Sequence, residues 1–366
     1  MIKIDQKKDF SKNKKNLFIV TNEIQLINAN EARHHYKSEN SIFLFLEMGH
    51  NKDTKALNKY KEKLDCDQLI VINLEDQMIG IGQHIKLIKY LKQYVYDKIF
   101  IGYFSAKMRQ YICNLSYENI FLIDDGTYTI VLHDELYNNR RKDTPSMLKT
   151  AKLRYSKSII YKFGYYIYNE LLRLIFSIFG LKNDLIDYHI SFFTIYNLIQ
   201  YNNEKIIKNK YALLREKHQT SQKSFNNDKT VYFLGQSLHK TLGITATEYR
   251  SYLNSIIQYY KEKNIKIKYI PHRSENSFYK EVGLLLESEY FSMVNIDKPF
   301  ELYILQKDIL PYRVASFFSS ALFTTKSIYP SVDIDSFIIN FDKNKRRDIV
   351  LVYETLQKEG IHLINI

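Results

Sequence analysis

The sequence predicts an α/β chain of two lobes, and three observations predict it. Short apolar runs alternate with longer amphipathic stretches from residue 17 to residue 125. The same alternation resumes at residue 230 and continues to the C-terminus, after a stretch of different character. At 366 residues the chain is also long enough for two domains, each with its own core.

The elements follow in order. Residues 1–16, MIKIDQKKDFSKNKKN, form a basic lead. In the first lobe, residues 17–145, the runs LFIV (17–20), SIFLFLE (41–47), QLIVINL (68–74), KIFIGYF (98–104) and NIFLIDD (119–125) have the length and continuous apolarity of buried strands. Between them, Ile81, Ile85, Ile88 and Leu91 recur at helical spacing within 81–94. Strands alternating with helices predict a parallel sheet covered on both faces.

Residues 146–229 break the rhythm and are expected to be helical and then a linker. SIIYKFGYYIYNELLRLIFSIFGLKND (158–184) is aromatic and apolar but is cut by Lys162, Glu170 and Arg173. Arg140, Arg141, Lys142, Lys149, Lys152, Arg154 and Lys157 surround its start, the composition of an amphipathic helix at an anionic membrane interface. A helical hairpin packed on its own domain or on a second subunit fits the same pattern, so both a membrane surface and a homodimer are expected partners. The polar stretch 216–229 is the linker candidate. In the second lobe, residues 230–366, strands are expected at 230–235, 265–270, 291–296, 313–317, 332–339 and 361–366. Helices are expected at 245–262, 277–286, 319–327 and 345–358. Two such lobes would enclose a cleft, with ligands beyond the carboxyl ends of the strands.

Composition excludes several classes. With 45% apolar residues and dispersed charge the chain is globular rather than disordered. A net charge of +13 points to an anionic substrate or membrane surface, while the lack of zinc spacing or an RNP-like string argues against nucleic acid. The two cysteines, Cys66 and Cys113, form no metal or disulfide pattern and fit a reducing cytoplasm. No secretory h-region and no membrane-spanning stretch is present, so a peripheral protein at the inner face of the cytoplasmic membrane is expected.

Three strings close apolar runs and carry chemistry: IFLIDDGT (120–127), IKYIPHRSE (267–275) and ASFFSSALF (315–323). Asp124 and Asp125 are adjacent carboxylates, and alternation along a strand lets one of them face a site as a general base. A helix cap beside a solvated neighbour has the same appearance, and a hard metal pair lacks further oxygen ligands nearby. Gly126 turns the chain. His272 follows the rigid Pro271 and would protonate a departing phosphate, with Arg273 as a cationic fork; a structural histidine is the bland alternative. Ser319 and Ser320 at a strand-to-helix junction would offer hydroxyls and free N–H groups to an anion, or simply cap the helix. Gly235 and Gln236, in FLGQS (233–237), and Glu301, in PFELYI (299–304), are the remaining candidates for donor contacts.

In this order, IDDGT, YFLGQ, YIPHR, PFELYI and SFFSSALF resemble the bacterial sialyltransferases, most closely the lipooligosaccharide sialyltransferases of glycosyltransferase family 52. The resemblance is densest after residue 230 and thin before residue 95. It implies a GT-B-type fold of two Rossmann-like lobes, CMP-sialic acid as donor and no cofactor. It also implies inversion at the anomeric carbon without a metal, and a surface-glycan acceptor (lipooligosaccharide or capsule) that is lipid-linked. Mapped residue by residue, it places the base at Asp125 or Asp124 and the acid at His272. Gly126, Gly235, Gln236, Arg273, Glu301, Ser319 and Ser320 would hold the donor. The histidine is followed by Arg273 where related enzymes have proline. No carboxylate follows the LG string, which favours the DDG pair as base, and Gly126 beside Asp125 lets substrate come close and favours it over Asp124. Transfer of another CMP-activated nonulosonate or Kdo-like sugar, polysialyl transfer, and non-catalytic membrane docking are the alternatives.

Overall fold

The computed structural model describes residues 3–6, 14–47, 66–73, 81–140, 159–183, 189–201, 204–219, 224–225, 229–272, 275, 282, 286–307 and 309–366. The chain divides into two compact units, residues 1–194 with 198–209, and residues 195–197 with 210–366.

The first unit is built on β1 (Lys3–Gln6), β2 (Lys15–Val20), β3 (Ser41–Glu47), β4 (Gln68–Asn73), β5 (Val95–Ile101), β6 (Ser116–Ile123), β7 (Ser191–Thr194) and β8 (Ile206–Lys208). They pair in the order β1-β4-β3-β2-β5-β6-β7-β8. Every neighbouring pair is parallel except β1 with β4. Its helices are α1 (Glu23–His35), α2 (Ile81–Leu91), α3 (Ala106–Ile112), α4 (Tyr128–Arg140) and α5 (Ile159–Ile178).

Strand β2 explains the covering of both faces. Leu17, Phe18, Ile19 and Val20 are all fully buried, but they alternate between two cores. Leu17 and Ile19 join Ile85, Ile88 and Leu91 of α2 and Met108 and Ile112 of α3. Phe18 and Val20 join Leu26, Ala29 and Ala32 of α1. On that second face the register places Phe43, Phe18, Phe100 and Phe121 side by side on β3, β2, β5 and β6. Their rings stack at centroid spacings of 4.6, 4.6 and 5.3 Å, adding about 0.5–1.5 kcal/mol per pair to the area they bury.

The second unit contains α6 (Ala212–Gln219), a two-stranded pairing of β9 (Ser224–Phe225) with β13 (Ile309–Leu310), and a six-stranded sheet. The sheet comprises β10 (Thr230–Leu234), β11 (Lys266–Ile270), β12 (Phe291–Met293), β14 (Arg313–Ser316), β15 (Asp333–Ile338) and β16 (His362–Asn365). They pair in the order β12-β11-β10-β14-β15-β16, parallel throughout. Its helices are α7 (Leu238–Leu242), α8 (Ala246–Lys261), α9 (Phe300–Leu305), α10 (Ser320–Ile328) and α11 (Arg347–Lys358). Helix α8 starts where Thr245 and Glu248 form a reciprocal capping box, and it buries Tyr249, Leu253, Ile256 and Tyr260 at helical spacing.

The architecture is α/β in two lobes, each built on a sheet with Rossmann-like strand order. Several elements differ in detail from the sequence reading. The basic lead contains β1, which pairs at the edge of the first sheet. The segment read as helical and linker, 146–229, contributes β7 and β8 to the first sheet as well as α5. The stretch expected to link the lobes carries the end of α6 and β9, and the division between units falls at residue 210. Most of the helix expected at 277–286 lies outside the described residues.

One buried ion pair holds the start of the second sheet. Asp335 on β15 is fully buried, and Arg313 on β14 donates to both its oxygens at 2.7 Å. Tyr260 of α8 donates to the same carboxylate at 2.8 Å. Arg313→Ala leaves that carboxylate without its cation, and denaturant unfolding should show a loss of about 3–5 kcal/mol. A loss below ~1 kcal/mol would mean that water or His362 replaces the guanidinium.

Candidate active site

Each sheet reverses its strand order at one place. In the first unit the chain leaves β2 for one side and returns on the other through β5; in the second unit β10 and β14 flank the reversal. At such a point the connections diverge and leave a crevice beyond the carboxyl ends of the strands. Sequence-predicted residues of both units stand at or near these strand ends.

In the first unit, β6 delivers Asp124 and Asp125, and alternation separates them. Asp124 is 2% exposed, and its Oδ1 accepts a 2.6 Å hydrogen bond from Thr194 at the end of β7. Its backbone carbonyl accepts from Asn28 of α1 at 2.9 Å, and Asn209 donates to Asn28 in turn. Asp125 is half-buried. Its Oδ1 accepts from Asn22 at 3.0 Å, and its backbone N–H donates to Thr129 Oγ1 at 3.3 Å. Asn22 also caps α1 by accepting from the N–H of Gln25, so one side chain fixes a helix start and the outer carboxylate together. Gly126 has φ +65°, a conformation that a side chain would strain. Asp124 therefore braces the strand ends, and Asp125 is the carboxylate offered outward.

In the second unit, Gly235 follows β10. A Cβ there would come within 2.2 Å of Glu275 Oε1 and 2.5 Å of the Tyr269 hydroxyl. Glycine is demanded by the approach of the protein's own side chains. Tyr269 donates to Glu275 at 2.7 Å, and the buried Tyr249 lies 2.7 Å from Tyr269. Burial pushes the Tyr249 and Tyr269 phenols well above their ordinary range, with the Glu275 charge adding to the effect. Gln236 bridges the reversal: its Oε1 accepts from the N–H of Phe318 at 2.8 Å, while Ser316 Oγ donates to Leu234 O at 2.6 Å. The turns after β10 and β14 are thereby fixed together.

Ser319 is the N-cap of α10 and accepts from Ala321 N–H at 3.2 Å, and Ser320 is the first helical residue. Both are half-buried. The first N–H groups and the positive end of the helix dipole present a seat for an anion. His272 follows β11, is exposed, and shares a 3.2 Å hydrogen bond between its Nδ1 and Ser237 Oγ, at the start of α7. Arg273 lies outside the described residues. Glu301 in the first turn of α9 is 4% exposed and accepts from Thr324 of α10. It thus tethers the helix that begins with the two serines.

Asn22, Asn28, Thr194, Ser237 and Glu275 were not singled out in the sequence. All but Glu275, whose partner Tyr269 is six residues away, act through partners distant in the sequence, and single polar residues carry no periodic signal.

Both sheets thus have the reversed strand order of the Rossmann class, with polar residues at their strand ends. No protein-family model matches the sequence, and no curated protein does. Solved structures similar to this chain include a glycosyl transferase of family 9 from Veillonella parvula DSM 2008, at 9% identity and a TM-score of 0.43, covering 99% of this chain and 88% of that one. They also include the E. coli heptosyltransferase WaaC with ADP, at 10% identity and TM-score 0.40 over 94% and 98% of the two chains. A third is E. coli ADP-heptose lps heptosyltransferase II, at 10% and 0.41 over 96% and 90%. These findings correct the resemblance to family 52: the glycosyltransferases found are family 9 and heptosyltransferases, not sialyltransferases, and no family model supports the five strings.

Burial raises the Glu301 carboxyl above the usual carboxylate range, the Thr324 hydrogen bond acting against the rise. The native state then holds its proton to higher pH than the unfolded chain, so stability falls as pH climbs from about 4.3 through the raised value. Glu301→Gln keeps an acceptor for Thr324 and removes that loss. Its melting temperature relative to wild type should rise with pH and reach a gain of about 2–4 °C near neutrality for each ~1 kcal/mol recovered. A difference independent of pH would show that Glu301 is ionised without penalty.

Proposed function

We propose that this chain is a glycosyltransferase that takes a sugar from a nucleotide-activated donor. The observation that carries the reading is the strand reversal of the second unit. There Gln236 ties the turn after β10 to the turn after β14, and Ser319 and Ser320 open α10. A phosphate seated on the α10 N-terminus would meet two hydroxyls and the positive end of the helix dipole, the usual chemistry for holding a nucleotide's charge. His272, oriented by Ser237, is assigned the proton or hydrogen bond that the departing phosphate needs. Asp125, held by Asn22, is assigned the removal of the proton from the acceptor hydroxyl. Asp124 has a bracing part, and Gly126 makes the turn that frees its neighbour. Glu301 is assigned the positioning of α10 rather than a ribose contact, given its burial.

CMP-sialic acid as donor rested on the corrected resemblance and is not carried forward. The fixed positive potential at the α10 N-terminus supports transfer without a metal, and turnover unchanged by EDTA would check it. A lipid-linked glycan acceptor fits the charge of the chain.

Calorimetry of the full chain against CMP, UDP, ADP and GDP tests the donor seat. Saturable binding of one nucleotide is expected, weakened about tenfold or more when Ser319 and Ser320 are both changed to alanine. No binding of any nucleotide would overturn the reading in favour of a non-catalytic docking protein.

With the donor so identified, Asp125→Asn and His272→Ala should each lower turnover about 10²–10⁴-fold while the fold is kept. Asp124→Ala should act mainly on stability, because it removes the carboxylate that accepts from Thr194. An Asp125→Asn variant retaining half of wild-type turnover would remove Asp125 from the chemistry.

A further inference from the structure

Helix α5 carries an apolar stripe that its own unit does not cover. Ile167, Leu171, Leu174 and Ile178 are spaced by four, three and four residues and so share one face. They are 44, 53, 59 and 72% exposed, and Phe179 just beyond the helix is 46% exposed. The helix is not loosely held, because Leu172 and Phe176 on a different face are 8 and 1% exposed. Phe176 joins the core that Leu181 also enters, with Ile175 packed at its margin. A third face carries Glu170 and Arg173, both exposed. One helix thus has a core-facing side, a charged side and an exposed apolar side.

We propose that this stripe docks the protein on an anionic phospholipid surface. An amphipathic helix lying in the interface needs a row of aliphatic and aromatic side chains with polar groups along its border, and cations to draw it to acidic headgroups. Residues 140–157, which lead into α5, hold seven lysines and arginines against one acid, Asp143. At the other end the Lys89 ammonium lies 5.1 Å from the centre of the Phe179 ring, and Lys182 is exposed beside it. Among the described residues no helix is long and apolar enough to cross a membrane, so the contact is with one leaflet. A second copy of this chain is the other possible cover. A two-fold dimer through the stripe would bring together two chains that each carry a net charge of +13, which charge repulsion opposes. An acidic membrane has the complementary sign. The inference stands on this helix and its charges, independently of the glycosyl-transfer reading.

The test is co-sedimentation of the full chain with vesicles of phosphatidylcholine alone or containing about one-third phosphatidylglycerol, a load that keeps the surface well charged. Binding to the mixed vesicles is expected, falling steeply as salt is raised from ~0.1 M to ~1 M and the Debye length shrinks from about 10 to 3 Å. Leu171→Ser/Leu174→Ser should bind at least about tenfold more weakly, with an unchanged melting temperature because both side chains already face water. Glu170→Gln should bind as well as wild type or better, a control on charge alone. Equal binding of wild type and the double variant would overturn the stripe, and equal binding to neutral vesicles would overturn the electrostatic part. A wild-type dimer that becomes monomeric in the double variant, without vesicle binding by either, would assign the stripe to self-association.

Discussion

The reversal of strand order is the constraint on which the rest of this molecule depends. A parallel strand can be followed by another only through a crossover, and crossovers of one hand must leave the first strand toward one edge. A sheet begun at its centre therefore grows outward one way, then returns and grows the other way. In the first unit β2 and β5 flank that return, and in the second β10 and β14 do. Only there do successive turns part from each other. The opening follows from connectivity and chirality, not from any residue within it.

What occupies the two openings has a common logic. A glycine follows the strand, and a buried polar side chain stands behind it. Gly102 after β5 faces Gln25, whose amide oxygen would lie 2.1 Å from a Cβ and which accepts from Thr21 at the end of β2. Gly235 after β10 faces Glu275 and Tyr269. In both, the glycine lets the polar group reach the backbone of the turn, and that group in turn restricts where the loop can go. Polar atoms buried beside a loop must be satisfied from a few directions only, so they define its geometry more sharply than apolar packing would. The turns after β2 and β10 also supply the partners of the outward polar groups: Asn22 donates to Asp125 in one unit, and Ser237 Oγ lies 3.2 Å from His272 Nδ1 in the other.

The degree to which the sequence reveals all this follows the same physics. Central strands such as LFIV and KIFIG were legible because burial on both faces demands continuous apolarity, which few other contexts require. β7 and β8 were not, since SFFT and IIK are four and three residues long and lie beside an aromatic helix with the same composition. β1 was hidden within a charged segment, as suits a strand at a sheet edge. The placing of Asp124, Asp125, His272 and the serines at strand ends was readable, because each closes an apolar run. The family was not. Strings such as LIDDG and YIPHR record what strand ends in a Rossmann-like sheet commonly hold, namely small, polar and turn-forming residues. Their order reflects the order of the strands as much as any shared chemistry.

Helix α5 shows how far composition can be read when structure supplies the direction of side chains. Its aromatic and basic sequence was consistent equally with internal packing and with an interface, since an apolar count does not say which residues face where. In the fold both demands are met at once: Leu172 and Phe176 go inward, while Ile167, Leu171, Leu174 and Ile178 go outward. A helix needing only to cover a core would leave charged or small residues on its outer side, as α8 does with Arg250, Asn254 and Lys261. Four exposed aliphatic side chains in one row are costly in water unless something else removes them from it. Lys89, with its ammonium over the Phe179 ring, and the exposed Lys182 indicate the sign of what does so.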